Sequence, residues 1–132
     1  MALLRQPVQE VGMAVYEQLG PRDILFIDST HVLRTGSDVC YELFEILPRV
    51  ASGVAVHLHD IFWPFEYPNP WILDDNRSWN EAYAVRAFLT DNDRWEIMFF
   101  NDYFMKFERE RIERHLSRFV ESPGASLWLQ RR

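Results

Sequence analysis

Short apolar runs alternate with stretches of helical periodicity along the chain, and this alternation predicts an α/β domain. Residues 8–19 place apolar side chains at helical spacing until Gly20-Pro21 ends the helix. Residues 24–27 are apolar without polar alternation, which is typical of a strand buried on both faces of a parallel sheet. A helix capped by Ser37 and a second strand over 54–59 follow. The order strand, helix, strand predicts a βαβ unit with both strands in one sheet.

The second half of the chain continues this pattern after an irregular stretch. A capping box of Ser78 and Glu81, in which each side chain satisfies an end amide of the other, is expected to start the next helix. The sequence thus predicts one α/β domain with a sheet of about four strands flanked by helices. The remaining predicted elements are a strand over 95–100, a helix over 103–119 and a strand over 126–129.

Residues 61–78 lack regular periodicity and contain several prolines and aromatic residues. A loop of this length in a small domain is usually functional or disordered, and the crowding of aromatics disfavours disorder. We expect these side chains to shield the strand ends as part of an acceptor pocket or a lid. The alternative is a loop packed flat as additional core. The aromatics in question are Phe62, Trp63, Phe65 and Tyr67.

Composition narrows the class of protein and its partners. The formal net charge of −6 argues against broad contact with nucleic acid, because such contact needs clustered Lys and Arg. Cys40 is the only cysteine, which excludes an internal disulfide. The longest apolar runs fall short of the ~20 residues of a membrane span, and the N-terminus lacks the charge order of a signal peptide. We therefore predict a cytoplasmic domain with no nucleic-acid partner and no membrane association.

Polar side chains follow the first two predicted strands at the edge where open α/β sheets bind ligands. Asp28 and His31 follow the first strand, and His59 and Asp60 end the second. Neighbouring strands lie ~4.8 Å apart, so Asp28, His59 and Asp60 can meet one ion or one substrate hydroxyl. Carboxylates with imidazole suit a divalent cation such as Mg²⁺ or general-base catalysis. The alternative is that Asp28 and Asp60 only cap the turns that follow them.

Other polar residues near this edge carry weaker hypotheses. His57 shares a strand face with His59 but lies one step deeper, so we expect it to be a hydrogen-bonded core histidine. The capping box accounts for Glu81, and a catalytic role for Glu81 is the less favoured alternative. Trp79 and Asn80 stand at the same helix start and can face the cleft.

Three stretches at these positions carry a resemblance to a known family. Asp28-Ser29-Thr30-His31, His57-Leu58-His59-Asp60 and Trp79-Asn80-Glu81 resemble bacterial class I S-adenosylmethionine-dependent methyltransferases. The branch most similar is often found among polysaccharide and natural-product genes. The similarity runs from about Val8 to Leu129 but matches only the second half of the family's seven-stranded sheet. It implies a truncated Rossmann-like sheet whose strands correspond to the family's fourth to seventh.

This resemblance implies O-methylation of a sugar or small-molecule acceptor in the complete protein, with S-adenosylmethionine as cofactor. In related metal-dependent O-methyltransferases, acidic residues at the ends of the fourth and fifth strands hold a divalent ion. Asp28, His59 and Asp60 fall on those positions, although His59 stands where an acid is more usual. Strand-end position and resemblance together imply four sets of site residues. The catalytic residues are expected to be Asp28, His31, His59 and Asp60, and the metal ligands Asp28, His59 and Asp60. Asp28 and Ser29 are expected to bind the cofactor, and Trp63, Trp79, Asn80 and Glu81 the substrate.

One part of the family pattern is missing from the sequence. The family binds its cofactor through a glycine-rich turn after the first strand and an acidic residue after the second. We expect that cofactor-binding half to be absent from this chain, so that S-adenosylmethionine binds weakly or not at all. The glycines are too far apart to build such a turn: Gly12, Gly20, Gly36, Gly53 and Gly124.

Two other function classes remain open. A metal-dependent hydrolase would use Asp28, His31, His59 and Asp60, but none of the standard spaced ligand motifs is present. A non-catalytic assembly module would use its aromatic surface to join a partner. Cofactor titration, metal analysis and native mass separate these possibilities from a methyltransferase.

The resemblance also has a consequence for assembly. The family's fourth strand lies beside its first, so residues 24–27 are expected to form an apolar sheet edge without the Lys or Pro that protects natural edges. Val8, Val11 and Val15 would expose apolar surface beside it. We therefore predict a homodimer, or association with a second chain, through residues 8–28. The alternative is a monomer in which residues 1–19 fold back over the edge.

Overall fold

The computed structural model describes residues 2–132, which form a four-stranded mixed sheet flanked by helices. The strands are β1 (Ile24–Ile27), β2 (Ala55–His59), β3 (Trp95–Phe100) and β4 (Ser126–Arg131). The α-helices are α1 (Ala14–Glu17), α2 (Asp38–Tyr41), α3 (Asn69–Leu73), α4 (Glu81–Leu89), α5 (Asn101–Phe107), α6 (Arg109–His115) and α7 (Ser117–Glu121). A 3₁₀ turn (Val8–Glu10) precedes α1, and α2 continues through a π-helical turn (Glu42–Ile46) and a 3₁₀ turn (Leu47–Arg49).

The sheet has the strand order β1-β2-β4-β3. β1 and β2 are parallel, with Ile24 opposite Ala55 and Ile27 opposite Leu58. β4 is antiparallel to both of its neighbours. The predicted α/β class and the parallel pairing of the first two strands in one sheet are therefore confirmed, and the terminal strand makes the sheet mixed.

The core lies between one face of the sheet and the helical segments that connect its strands. Alternate residues of β2 and β4 point to this face because successive side chains of a strand point to opposite sides. The α2 segment and α4 bury their apolar stripes against it. The largest fully buried side chains of this layer include Val56, Leu58, Leu127, Leu129, Ile46, Leu47 and Val85.

β1 departs from its predicted environment. Leu25 and Ile27 face the core, whereas Ile24 and Phe26 are 57% and 58% exposed. The prediction that this strand is buried on both faces is therefore wrong, because nothing among residues 2–132 covers its outer face or its free side. The prediction that residues 24–27 form a sheet edge is confirmed by the strand order.

Two predicted helices are interrupted. Residues 8–19 form only the 3₁₀ turn and α1, with Gly12, a poor helix former, between them. The predicted helix over 103–119 is broken at Glu108 and Leu116, where φ is −128° and −140°. These breaks let the chain curve, so that Phe104 of α5 and Phe119 of α7 both contact Phe99, with ring centroids 4.3 and 5.7 Å apart.

Within residues 2–132, no helix combines the length and the apolar character needed to span a bilayer.

Ser37 stabilises the start of α2 as predicted. Its Oγ accepts hydrogen bonds from the N–H groups of Cys40 (3.1 Å) and Arg34 (3.2 Å). Ser37→Ala is expected to lower the free energy of unfolding by about 1 kcal/mol, because an end amide of the helix loses its acceptor. Urea denaturation measures the change, with the exposed Ser117→Ala at the start of α7 as the control. Equal stability of the two variants would contradict the assigned cap.

Candidate functional site

The carboxyl ends of β1 and β2 bring together the residues predicted for catalysis. Asp28 follows β1, and Asp60 follows β2 directly. His31 and Asp60 both have left-handed backbone conformations, with φ of 60° and 56°. Such conformations are uncommon for residues other than glycine and tend to occur where the surrounding structure fixes a functional group. The surrounding fold therefore holds both residues in a backbone conformation that their own φ/ψ preferences disfavour.

His31 is the centre of the site. Its side chain is buried, and its Nδ1 lies 2.7 Å from Oε2 of Glu81. Its Nε2 lies 3.6 Å from Oδ1 of Asp28 and 3.8 Å from Oδ2 of Asp60. Because the Glu81 carboxylate accepts a hydrogen bond, Nδ1 carries the proton and Nε2 is the basic nitrogen. The basic nitrogen therefore faces the two strand-end carboxylates.

The surroundings of His31 tune its basicity. Burial by itself would lower the pKa of His31, because it penalises the charged imidazolium. The hydrogen bond to Glu81, the charge of Glu81 and the charges of Asp60 and Asp28 outweigh burial and raise the pKa above its ordinary value. An imidazole in this setting can accept a proton and be stabilised once it has done so.

Glu81 is a structural partner of His31 and not a capping residue. It is 2% exposed, and its Oε2 accepts hydrogen bonds from Ser29 Oγ (3.0 Å) and from His31. The predicted capping box with Ser78 is wrong: α4 starts after Asn80, whose own side chain makes no cap hydrogen bond, and the N–H of Ala82 in the first turn donates to Oη of Tyr67 (3.0 Å). The Glu81 carboxylate accepts instead from the buried imidazole and hydroxyl.

The loop that carries His31 is fixed by the start of α4. The carbonyl oxygen of His31 accepts hydrogen bonds from the N–H groups of Asn80 (3.0 Å) and Glu81 (3.2 Å). The Asn80 side chain accepts from the Leu33 N–H (2.6 Å) and donates to the Leu33 carbonyl (3.2 Å). Asn80 and Glu81, both predicted to bind substrate, therefore bind the loop that carries His31. Residues with such contacts position the imidazole.

The histidines of β2 extend the site along the sheet. His59 Nε2 lies 3.6 Å from Oδ1 of Asp60, and His59 Nδ1 lies 3.3 Å from Nε2 of His57. His57 is buried and stacks on Phe26, with ring centroids 4.3 Å apart. Burial, followed by the charge of His59, lowers the pKa of His57. His57 is buried and contacts His59, but it lies with Phe26 on the outer face of the sheet and not in the predicted core, and its Nδ1 has no hydrogen-bond partner among residues 2–132.

The residues predicted to bind a metal, Asp28, His59 and Asp60, lie close together at the ends of β1 and β2. His59 Nε2 is 3.6 Å from Asp60, and His31 Nε2 is 3.6 Å from Asp28 and 3.8 Å from Asp60. Within residues 2–132, no group of three or more His, Cys, Asp and Glu side chains is arranged to hold a metal ion. The observed contacts are those of an imidazole between carboxylates, and the metal site stays a prediction.

Aromatic side chains of the 61–80 segment cover His31. The Trp79 ring lies on the imidazole with centroids 4.1 Å apart, and Trp71 of α3 contacts Trp79 edge-on at 5.2 Å. The Arg77 guanidinium lies 4.2 Å from the Trp71 ring centroid and 4.7 Å from that of Trp79. Both tryptophans are partly exposed. Trp79, which was predicted to bind substrate, thus contacts the imidazole itself, and sequence reasoning missed Trp71 and Arg77.

Trp63 lies in a different aromatic group. Its ring packs edge-on against Phe100, Tyr103 and Phe107, with centroids 5.8, 5.1 and 6.5 Å away. The backbone N–H of Trp63 donates to Oδ2 of Asp102 at 2.9 Å. The structure therefore joins Trp63 to β3 and α5, and does not bring it into the aromatic group on His31.

A polar cavity adjoins the site on the other side of the Asp28–Thr30 loop. It has a volume of about 420 Å³, and Asp28, Ser29, Arg34 and Glu42 are among its lining residues. Glu42 begins the π-helical turn, is 9% exposed, and its Oε2 has no hydrogen-bond partner among residues 2–132. Burial, with the charges of Glu81 and Asp38, raises the pKa of Glu42 to about 8. Both residues predicted to bind the cofactor therefore face a cavity that contains a neutral carboxyl group.

Comparison of the chain with protein-family models, with curated proteins and with solved structures finds no significant match.

Proposed function

We propose that this chain is the C-terminal, acceptor-binding portion of an S-adenosylmethionine-dependent methyltransferase that O-methylates a sugar or a small molecule. The observation that carries the proposal is the His31–Glu81 pair, whose free Nε2 faces Asp28 and Asp60 at the ends of two parallel strands. The α/β sheet with two parallel strands that end at this site is compatible with the assignment of its strands to the family's fourth to seventh.

In the proposed reaction His31 acts as the general base. S-adenosylmethionine, when bound, supplies an electrophilic methyl group on a sulfonium. His31 Nε2 accepts the proton of the acceptor hydroxyl as the new oxygen–carbon bond forms and the sulfur keeps the electron pair of the bond that breaks. Glu81 holds Nδ1–H and stabilises the resulting imidazolium, and Ser29 fixes the Glu81 carboxylate through its own hydrogen bond.

The polar groups around His31 favour an acceptor with several hydroxyls. Carboxylates accept hydrogen bonds, so Asp28 and Asp60 can bind hydroxyls next to the one that His31 deprotonates. The same charges disfavour an anionic acceptor. Trp79, which is partly exposed beside His31, supplies aromatic surface next to the base, and the apolar side of a sugar ring can pack on such surface. A neutral sugar fits this combination.

Asp28 and Ser29 are the residues that would face the methyl donor. They line the polar cavity beside the site, where the unpartnered carboxyl of Glu42 offers a further hydrogen-bonding group. The glycine-rich turn of the family is not in the sequence, so this chain holds the donor through few contacts. We accordingly expect the chain by itself to bind S-adenosylmethionine only weakly.

Nuclear magnetic resonance of the His31 imidazole tests the proposal. A panel of neutral pyranosides is titrated into the chain, and at least one is expected to shift the His31 signals and to lose that effect in Asp60→Asn. The exposed Asp93→Asn serves as the matched control and is expected to respond as the wild type does. S-adenosylmethionine is expected to shift the Asp28 and Ser29 amides only at about millimolar concentration.

The other outcomes distinguish the alternative functions. Micromolar binding of Mg²⁺, Mn²⁺ or Zn²⁺ that shifts Asp28 and Asp60, without a response to pyranosides, would replace the proposal with a metal-dependent hydrolase. No response of His31 to sugars or metals would leave an assembly module. Micromolar affinity for S-adenosylmethionine would contradict the proposed absence of the cofactor-binding half.

A further inference from the structure

The free side of β1 has the hydrogen-bonding pattern of a strand that lacks a neighbour. The carbonyl oxygen of Asp23 accepts from the Ala55 N–H at 3.0 Å, so odd-numbered residues of β1 direct their backbone groups to β2. Ile24 and Phe26 therefore direct their N–H and C=O groups outward. Within residues 2–132, β1 pairs with β2 alone.

This edge is not protected as natural edges usually are. β1 contains no Lys or Pro, and its register with β2 runs without interruption from Ile24 to Ile27. The other edge strand, β3, carries a register shift between Ile97 and Phe99, which interrupts its ladder. Bulges and charges hinder the addition of another strand, and a regular apolar edge favours it. The residues before β1 leave the edge open: Val8, Met13, Tyr16 and Leu19 pack on the core, and Leu3, Leu4 and Val15 are exposed.

We propose that the edge of β1 pairs antiparallel with β1 of a second copy of this chain, with Leu25 on the two-fold axis. Only the even-numbered residues of β1 direct their N–H and C=O groups outward, so an even-numbered residue of one copy must pair with an even-numbered residue of the other. With Leu25 on the axis, Ile24 of each copy lies opposite Phe26 of the other. A register shifted by two residues in either direction no longer pairs Ile24 with Phe26. It places Phe26 opposite Arg22, or Ile24 opposite Asp28, so that an apolar residue faces a residue outside the strand.

Charge complementarity selects the same register. Arg22 and Asp28 lie at opposite ends of β1 and are both exposed. Leu25 is midway between them, so the two-fold axis brings Arg22 of each copy toward Asp28 of the other. Two opposite-charge pairs then flank the apolar centre. The arrangement covers Ile24 and Phe26, which are more than half exposed in the single chain, and joins two four-stranded sheets into one of eight.

The dimer would add a group to the candidate site. Asp28 Oδ1 lies 3.6 Å from His31 Nε2, so an arginine that pairs with Asp28 enters the surroundings of the base. The inference does not rest on the proposed function, because it follows from the edge and its charges. A cofactor-binding half, in the same polypeptide or in another, would occupy the same edge in place of the second copy.

Native mass measurement at micromolar concentration tests the assembly. The wild-type chain is expected at twice the 15.8 kDa of the monomer. Ile24→Lys is expected to give the monomer, because it places a charge on the paired edge without disturbing the core. Met98→Lys is the matched control: Met98 is 50% exposed on the other edge strand, and this variant is expected to remain a dimer.

Two further measurements test the register. Amide hydrogen exchange is expected to show protected N–H groups at Ile24 and Phe26 in the dimer and rapid exchange in Ile24→Lys. In a Cys40→Ala background, Leu25→Cys is expected to form a disulfide between copies, because paired residues on such an axis lie about 4.5 Å apart at Cα. Arg22→Glu is expected to weaken the dimer roughly tenfold, and addition of Asp28→Arg to restore it.

The proposal fails under either of two results. A 15.8 kDa wild-type chain whose Ile24 and Phe26 amides exchange freely would leave the edge to a strand of another protein. A dimer that persists in Ile24→Lys, with those amides unprotected, would place the interface elsewhere.

Discussion

Replacing Glu42 with glutamine is expected to make the chain more stable than the wild type in alkaline solution, by roughly 3–5 kcal/mol. Burial, followed by the charges of Glu81 and Asp38, raises the pKa of Glu42 from 4.5 to about 8 in the folded chain. The carboxyl group is therefore neutral in the fold at neutral pH. Glutamine keeps its shape and removes the charge that appears at higher pH.

The effect has a defined pH window. Above about pH 4.5 the unfolded chain has released the Glu42 proton, while the folded chain retains it up to about pH 8. Folded stability from this group therefore falls as the pH rises through that window and stays low above it. Glu42→Gln removes this fall, so the two proteins are expected to be similar near the lower limit and to differ most above the upper one.

Urea denaturation across this pH range measures the difference. Glu45→Gln is the control, because Glu45 lies one turn along the same segment with a side chain 47% exposed. Its exposed ion pair with Arg49 accounts for at most about 1 kcal/mol. If the stabilities of wild type and Glu42→Gln change in parallel with pH, the Glu42 carboxyl is not neutral in the fold.

The strands were the part of the fold that sequence could predict best. The bounds of β1 and β3 match the predicted ranges, because short apolar runs between turn-forming residues leave few other structures open. The exposure of β1 was not open to prediction from its own residues. An apolar run looks the same at the centre of a sheet and at its edge, and only the strand order decides between them.

The strand-end residues of the site were predictable for a topological reason. Parallel neighbours end at the same edge, so Asp28 and Asp60 come together with His31 once β1 and β2 are paired. Glu81 was assigned to a capping box because a local partner, three residues away, is visible in sequence. Its true partner, His31, lies 50 residues away, and local patterns do not report such contacts.

The burial of Glu42 can be inferred from its spacing in the sequence, although it was not predicted. It lies three residues after Val39 and four before Ile46, on the stripe that this segment buries. An acid on an apolar stripe indicates a buried carboxyl, because helical spacing places it among core side chains. The π-helical turn that starts at Glu42 was not predictable, since it depends on how the segment packs beneath the cavity.

Replacing Glu81 is expected to change the pKa of His31 in a direction that identifies its role. Glu81 supplies the hydrogen bond and the largest of the charges that raise this pKa against the effect of burial. In Glu81→Gln only the charges of Asp60 and Asp28 oppose the effect of burial, so the pKa of His31 is expected to fall. A raised histidine pKa stabilises the fold at low pH, and this contribution is lost as the pH rises through the folded pKa. Glu81→Gln is expected to weaken that dependence.

Glu81→Ala is expected to act more strongly, because it leaves the buried His31 N–H and the Ser29 hydroxyl without their acceptor. Breaking a buried pair in this way costs about 3–5 kcal/mol of unfolding free energy. Imidazole titration by nuclear magnetic resonance gives the pKa, and urea denaturation gives the stability. Glu110→Gln, on the exposed surface of α6, is the control for both measurements. An unchanged His31 titration in Glu81→Gln would show that Asp28 and Asp60 alone set the basicity of the imidazole, and would remove Glu81 from the proposed machinery.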